Sequence, residues 1–386
     1  MITSCSTMGA AATGDRLERM QASPQYNGEV FINRLPQEAT KKKRSIVDAL
    51  GMIKKFSERD AKLSPAQPLP LQTLTKGEFG APSTDLTVRW LGHSTLIIEI
   101  EGKRILTDPI WSERASPVQF AGPKRFTPPL IPLDELPPID AVVISHDHYD
   151  HLDTATIEAL KDHVEFFVPL GIGAHLESWG VDPERIHEMD WWEEAKIGGL
   201  RVVCTPARHF SGRSLGDRNH TLWASWSIIG EKRRAFFSGD TGLFPELSEI
   251  GERLGPFDIT MIETGAYNQR WANMHMGPEQ AVIAHRALRG KILLPIHWGL
   301  FNLALHSWVE PAERLRVVAR RDGDLIAQPR PGVLLTMQLP VPQEKWWPDV
   351  EWQTAEEAPV QASHIDPDWL ARFSKPAAIE HTAQNH

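Results

Sequence analysis

The sequence predicts a layered α/β protein built from two similar halves, and three observations lead there. Short apolar runs of strand length, each ended by turn-forming residues, recur from residue 86 to about residue 299. Helical pieces such as "DTATIEALKDH" and "GPEQAVIAHRAL" are interleaved with them. The runs fall into two series, and strands in series flanked by helices pack as sheets with helices on their outer faces. With 386 residues, 41% of them hydrophobic, the chain can bury a substantial core.

In chain order, residues up to about 40 are polar and poorly patterned. The first helical signal is "RSIVDALGMIKKFSERDA", residues 44–61, with Ile46, Val47, Leu50, Ile53 and Phe56 at helical spacing. The preceding "KKKR" is read as a solvated flank, although its charge opposes a helix N-terminus. A proline-rich linker, "SPAQPLPLQ", follows. The first strand series is "LTVRWLG", "STLIIEIEGKRILTDP", "IDAVVIS" and "EFFVPLG"; the second is "LRVVCTPARH", "ASWSIIGEKRRAFFSGD", "FDITMIETG" and "KILLPIHWG". After about Leu339 the chain turns acidic and tryptophan-rich, then polar, which reads as an extension wrapped on the domain and a disordered end. The expected organisation is an N-terminal extension with one helix over residues 1–84, the main α/β domain over 85–340, and a C-terminal extension and tail over 341–386.

A net charge of -9 argues against binding nucleic acid by neutralising phosphates. Two cysteines, Cys5 and Cys204, cannot form a disulfide framework. No apolar stretch approaches the roughly 20 residues of a membrane-spanning helix. The start lacks the basic and apolar regions of a secretory signal, so a cytoplasmic or membrane-peripheral location is expected; "CSTMGAAATG" also reads like the start of a mature envelope lipoprotein whose signal is missing. The 14 tryptophans, Trp111, Trp223, Trp226 and Trp271 among them, are read as core residues with a polar handle rather than as a lipid site.

Chemistry concentrates in "HDHYDH", residues 146–151, which follows the apolar run "AVVIS". Open α/β sheets place their sites at such strand ends, and Asp153 is expected to cap the helix beyond. Imidazoles and a carboxylate suit zinc and similar metals, and a turn brings residues two apart onto one ion. A histidine-rich loop is by itself often only solvated. His209, Asp240 and His297 end three later strands, however, and ligand-type residues at four strand ends are hard to explain by packing. Singly, each would read better as a structural histidine or a turn-forming aspartate. Asp108, in "LTDP", reads equally as a turn residue and as the acceptor for a ligand imidazole N–H.

With the later His, Asp and His, "HDHYDH" resembles the metallo-β-lactamase superfamily. The segments "WLGHSTLIIEIEGKRILTDPIWSERASPVQFAGPKRFTPP" and "GAYNQRWANMHMGPEQAV…IHWG" resemble, within it, the N-acyl-phosphatidylethanolamine-hydrolysing phospholipases D. The resemblance covers roughly residues 85–340 and implies a four-layer αβ/βα sandwich. It implies that His146, His148 and His209 hold one Zn(2+), that Asp150, His151 and His297 hold a second, and that Asp240 bridges them; iron or manganese suits the same donors. Two such ions about 3.5 to 4 Å apart supply a hydroxide for attack on phosphorus and stabilise the leaving oxygen. Asp150 thereby counts as catalytic, and His275 is implied to contact the phosphate or assist the leaving group. Met274 and Glu263 depart from the mammalian lipases of the group, which carry Gln and Pro there; this leaves the ligands intact and the substrate open. His93 is expected to buttress the site, while His163, His175, His187, His220, His285 and His306 read as structural or exposed. Tyr149 and Asp147 are assigned no chemistry. The implied substrate is a phospholipid, with a lactone or other carboxylic ester as the alternative, and a non-catalytic scaffold or a nuclease is disfavoured. Peripheral membrane contact and a homodimer are compatible with this reading.

Overall fold

A computed structural model describes residues 7–36, 62–339, 341 and 344–374. The expected helix over 44–61, its basic flank, Cys5 and the last residues of the tail lie outside the described residues. Strands β1 (Thr87–Gly92), β2 (Thr95–Ile100), β3 (Lys103–Thr107), β4 (Ala141–Val143), β5 (Glu165–Pro169) and β6 (Ile186–Met189) form one sheet in chain order. Strands β7 (Glu194–Ile197), β8 (Leu200–Thr205), β9 (Ser225–Ile229), β10 (Arg234–Phe237), β11 (Phe257–Glu263) and β12 (Gly290–Ile296) form the second. A short β13 (Leu334–Thr336) returns to pair antiparallel with β1 at the edge of the first sheet. Both sheets are mixed. The first is antiparallel through β3 and parallel from β3 to β6; the second is antiparallel from β7 to β10 and parallel from β10 to β12. This matched layout is what the two strand series anticipated.

Period-2 alternation divides each strand between two cores. Val88, Trp90, Leu96, Ile98 and Ile105 of the first sheet meet Val202, Trp226, Ile228, Phe237, Ile259 and Leu294 of the second in a central layer. The opposite residues of the first sheet, among them Ile97, Leu106, Val142 and Phe166, pack under α2 (Thr154–Leu160) and α3 (Ile172–Ser178). Those of the second, Val203, Phe236, Ile262 and Leu293, pack under α4 (Glu246–Leu254), α5 (Pro278–Ala287) and α6 (Glu310–Asp322). The result is the expected four-layer αβ/βα sandwich.

Several expectations need correction. The run 94–109 is a hairpin, β2 and β3, because Glu101 and Gly102 both take positive φ and reverse the chain. The poorly patterned leader contains α1 (Gly14–Gln21), whose Met20 is buried in the central core together with Phe31. Part of the expected polar end is α7 (Pro367–Ser374), whose Trp369, Leu370 and Phe373 pack on the outer core of the second sheet. Asp153 sits at the N-cap position of α2, but its side chain accepts from the backbone of Trp111 and Ser112 and from two hydroxyls. It ties a loop to the helix instead of capping it. Most of the tryptophans are buried in the cores as expected, Trp223 and Trp226 among them, while Trp111 and Trp271 are half-buried; Trp90, Trp298, Trp346 and Trp347 form one contiguous cluster. Cys204 is buried and free. No described helix is long and apolar enough to cross a membrane.

Candidate metal centre

Each half of the sandwich sends its strand ends to the same edge. The turn from β1 to β2 carries His93, the end of β3 leads to Asp108, and the end of β4 leads to residues 146–151. In the second sheet β8 leads to His209, β10 to Asp240, and β12 to His297. His93, Asp108 and His297 all have positive φ. For non-glycine residues this costs on the order of 1–3 kcal/mol each and is tolerated where the surrounding structure enforces it. Gly239 makes room for the convergence: a Cβ there would lie 2.3 Å from Ser145 Cβ, beside the first residue of the histidine loop.

The sequence-derived candidates meet in two sets. In the first, His146 Nε2 lies 2.8 Å from His148 Nδ1, and His209 Nε2 lies 3.4 Å from the same atom. In the second, Asp150 Oδ2 is 3.3 Å from both His151 Nε2 and His297 Nε2. His93 Nε2 joins this second set, 2.9 Å from Asp150 Oδ2. Asp240 Oδ2 stands between the two sets, 3.9 and 3.8 Å from His146 and His209, and 3.2 and 3.0 Å from His151 and His297.

The imidazoles are held by their far nitrogens. His151 Nδ1–H donates to Asp108 Oδ2 at 2.7 Å. Ser145 Oγ donates to the same carboxylate and lies 2.9 Å from His146 Nδ1. His209 Nδ1–H donates to the carbonyl of Met274 at 2.9 Å. These contacts leave the Nε2 lone pairs of His146, His151 and His209 turned inward, the state in which imidazole binds a metal. Asp108 thus orients one imidazole of each set.

Trp indole N–H groups fix the surrounding backbone. Trp90 donates to the carbonyl of His93, Trp226 to that of Ile144, and Trp223 to that of Ala207, each a residue in or beside a ligand loop.

Burial and charge show what the donor sets can hold. His151 Nε2 and Asp240 Oδ1 are buried without a hydrogen-bond partner, an arrangement costly for polar groups unless an ion completes it. Burial and the neighbouring imidazoles push His146 well below its ordinary value, and burial does the same to His209. Burial would also lower His151 and His297, but Asp240 and Asp150 prevail, holding His151 well above its usual range and His297 at about 10. Asp150 and Asp240 are buried, yet the histidines around them keep both well below the usual carboxylate range. A cluster of imidazoles and carboxylates that must otherwise retain protons at its centre fits divalent cations. The donor spacing also fits, since ligands about 2.0–2.1 Å from a tetrahedral zinc stand roughly 3.3 Å apart.

His275 lies against this centre, its ring 5.0 Å from that of His209 and 5.4 Å from that of His297. Glu263 contacts it from β11. Sequence reasoning singled out Glu263 only as a departure and did not place it in the site; the one available signal was a carboxylate directly after the apolar pair Met261 and Ile262. Burial and the Asp240 charge push Glu263 well above its ordinary range, against the backbone donors of Thr241 and Met276. Tyr149 and Asp147 point away: Tyr149 Oη donates to the Arg213 carbonyl, and Asp147 accepts from Gly212 N and Thr221 Oγ1. His285 and His175 are buried elsewhere, while His163 and His220 are exposed.

The beta-lactamase superfamily domain model matches residues 103–298. An uncharacterized protein of Mycobacterium bovis is 45% identical over 345 residues, covering 88% of this chain and 91% of that one. N-acyl-phosphatidylethanolamine-hydrolyzing phospholipase D 1 of Caenorhabditis elegans is 39% identical over 271 residues, covering 67% of this chain and 76% of that one. Among solved structures, isothiocyanate hydrolase from Delia radicum gut bacteria superposes with a TM-score of 0.53 at 22% identity, over 65% of this chain and 98% of that one, and so shares the fold. The chain belongs to the metallo-β-lactamase superfamily. It is a metal-dependent hydrolase whose His/Asp clusters lie where both sheets end.

Proposed function

We propose that the protein is a dinuclear zinc phosphodiesterase of the phospholipase D type, hydrolysing N-acyl-phosphatidylethanolamine or a related glycerophospholipid to an N-acylethanolamine and a phosphatidic acid. The observation that carries this reading is the pair of donor sets, His146/His148/His209 and Asp150/His151/His297, with Asp240 Oδ2 within 3.9 Å of His146 and His209 of the first and of His151 and His297 of the second. The named lipase among the relatives supplies the substrate class. When bound, two divalent ions supply an acidified water and positive charge to set against the phosphoryl oxygens.

The chain's own groups do the rest. Asp240 spans the two sets and fixes their separation. Asp108 and Ser145 hold the imidazoles in the binding tautomer. Asp150 keeps negative charge beside His93, His151 and His297. His275, 15% exposed at the rim of the cluster, is placed to donate to a phosphate oxygen or to the leaving group. Phe120 is 85% exposed and shares a cavity of about 350 Å³ with Tyr149 and Arg213. Peripheral contact with a lipid surface is part of this reading through its substrate class.

The test is a substrate panel on purified protein of known metal content. Release of N-acylethanolamine and phosphatidic acid at about two zinc ions per chain is expected, with Asp240→Asn folded but inactive. Lactone or carboxylic ester turnover without phosphodiester cleavage sinks the lipase reading and supports the ester hydrolase. Turnover of phospholipid unchanged in Asp240→Asn removes the two-set mechanism.

A further inference from the structure

Glu263 closes β11 and is completely buried. Its Oε1 accepts from the backbone N–H of Thr241 at 2.6 Å and of Met276 at 3.3 Å, and its Oε2 meets His275 Nδ1 at 2.9 Å. Thr241 follows Asp240 and Met276 follows His275. One carboxyl group therefore ties together the loop that carries the shared carboxylate and the loop that carries the rim imidazole. The two backbone donors lock the orientation of the Glu263 head group, so Oε2 has one direction to face. His275 makes its side-chain hydrogen bond through Nδ1, and its ring is 15% exposed where Glu263 is 0% exposed. The ring edge away from Glu263, Nε2, is left for a bound molecule.

We propose that Glu263 is the positioning residue for His275, sharing one proton with Nδ1 so that Nε2 can deliver its own proton to the leaving-group oxygen while the shared proton settles on Nδ1. The inference rests on the phosphodiesterase reading above and extends it to a residue outside the ligand set. As the phosphorus–oxygen bond breaks, the leaving oxygen keeps the bonding pair and takes the proton from Nε2. The proton shared with Glu263 stays on Nδ1, so the ring ends neutral instead of anionic. Water supplies the oxygen added to phosphorus, and its released proton restores Nε2–H. The geometry follows the rule that a histidine acid is oriented by a carboxylate on its other nitrogen.

Glu263→Gln tests this directly. Gln keeps the oxygen that Thr241 and Met276 need and turns its amide NH2 toward Nδ1, which must then accept; the ring could give up a proton only by becoming anionic. With zinc content and melting temperature unchanged, kcat on a diester with an alkyl leaving group is expected to fall on the order of 100-fold at similar KM. The fall on the matching 4-nitrophenyl diester, whose leaving group needs no proton, is expected to be only a few-fold. Adding Glu263→Gln to His275→Ala should change nothing more, since the two act as one unit. A low-field imidazole proton resonance, lost in both single variants, reads the pair without any substrate. Equal losses on both diesters, additive losses in the double variant, or a drop in zinc content each overturn the proposal; the last would make Glu263 part of a metal set with Asp240, His275 and His297. If the wild type cleaves neither diester the phosphodiesterase reading fails instead, and the resonance still reports whether Glu263 holds His275.

Discussion

At the scale of single residues, Asp108 has the widest reach. It is fully buried, accepts from His151 directly, and reaches His146 through Ser145, so it serves one imidazole in each donor set. Burial pushes its carboxyl upward against the hydrogen bonds from His151 and Ser145. Asp108→Ala removes the acceptor that fixes both tautomers and is expected to weaken metal binding by about 10- to 100-fold. Chelator competition with zinc measures this, and both ions should be affected. Loss confined to the ion held by His151 would show that the path through Ser145 does not matter. Gly239 is the second sensitive position. Its φ of +54 and the 2.3 Å approach of Ser145 Cβ leave no place for a side chain, so Gly239→Ala must displace either the histidine loop or Asp240. The expected outcome is a folded protein that binds less metal than the parent, read by metal analysis and circular dichroism.

At the scale of elements, α5 shows how packing sets a titration. His285 on α5 is buried against β11, its Nδ1 2.7 Å from Thr260 Oγ1. Burial holds it at about 4, below its ordinary 6.5, despite the nearby Asp324. The folded chain therefore keeps His285 neutral where the unfolded chain would take up a proton. Its contribution is intact above about pH 6.5 and is lost as the pH falls toward 4, a total of about 3 kcal/mol. Urea unfolding at pH 7 and pH 5 should show wild type losing about 2 kcal/mol more than His285→Asn; equal losses would mean that the imidazole is not held neutral. The same elements show what could be read in advance. β1 to β5 and β8 to β12 carry continuous or alternating apolar residues because one or both faces are buried, and that pattern survives in the sequence. β6 ("IHEM") and β7 ("EAKI") are half-exposed sheet edges of four residues each, too short and too polar for periodicity to register. α6 escaped for another reason: its arginines are partly buried in ion pairs, Arg314 with Glu279 and Glu310, so a core-facing helix reads as a solvated one. The ligand loop was legible because its chemistry is dense along the chain, four ligand-type residues within 146–151. His93 was expected beside the site and lies there, against Asp150; Glu263 was not placed, because it joins the cluster only where loops after β10 and β11 meet in space.

At the scale of the whole molecule, the donor sets join the two sheets. His146, His148, Asp150 and His151 follow β4 of the first sheet, while His209, Asp240 and His297 follow β8, β10 and β12 of the second. Each set draws from both sheets, so an ion in either one links the two halves of the sandwich at their strand ends. The tryptophan cluster does the corresponding work beside them: Trp90 of the first sheet stacks on Trp298, which follows His297, with ring centroids 5.2 Å apart, while Trp346 of the C-terminal extension packs on both and Trp347 on Trp298. Removing Trp346 alone leaves the metal link in place, and Trp346→Ala is expected to cost about 3–5 kcal/mol, as for a truncated core aromatic. Removing the ions leaves the tryptophans in place but strands His151 Nε2 and Asp240 Oδ1 without partners. Ions that bind only the folded chain stabilise it by RT ln(1 + [L]/Kd), about 4 kcal/mol per site at a 1,000-fold excess over Kd. Chelation should therefore lower the unfolding midpoint by an amount that grows with the free zinc used in the reference sample. In Trp346→Ala the same chelation should cost a different increment, because Trp346 packs on Trp90 and Trp298, which adjoin His93 and His297 of the cluster, and contacts with shared partners couple. A midpoint indifferent to chelation, with zinc shown to have left, would mean that the sandwich closes without the ions. The cluster would then be a site built for chemistry alone.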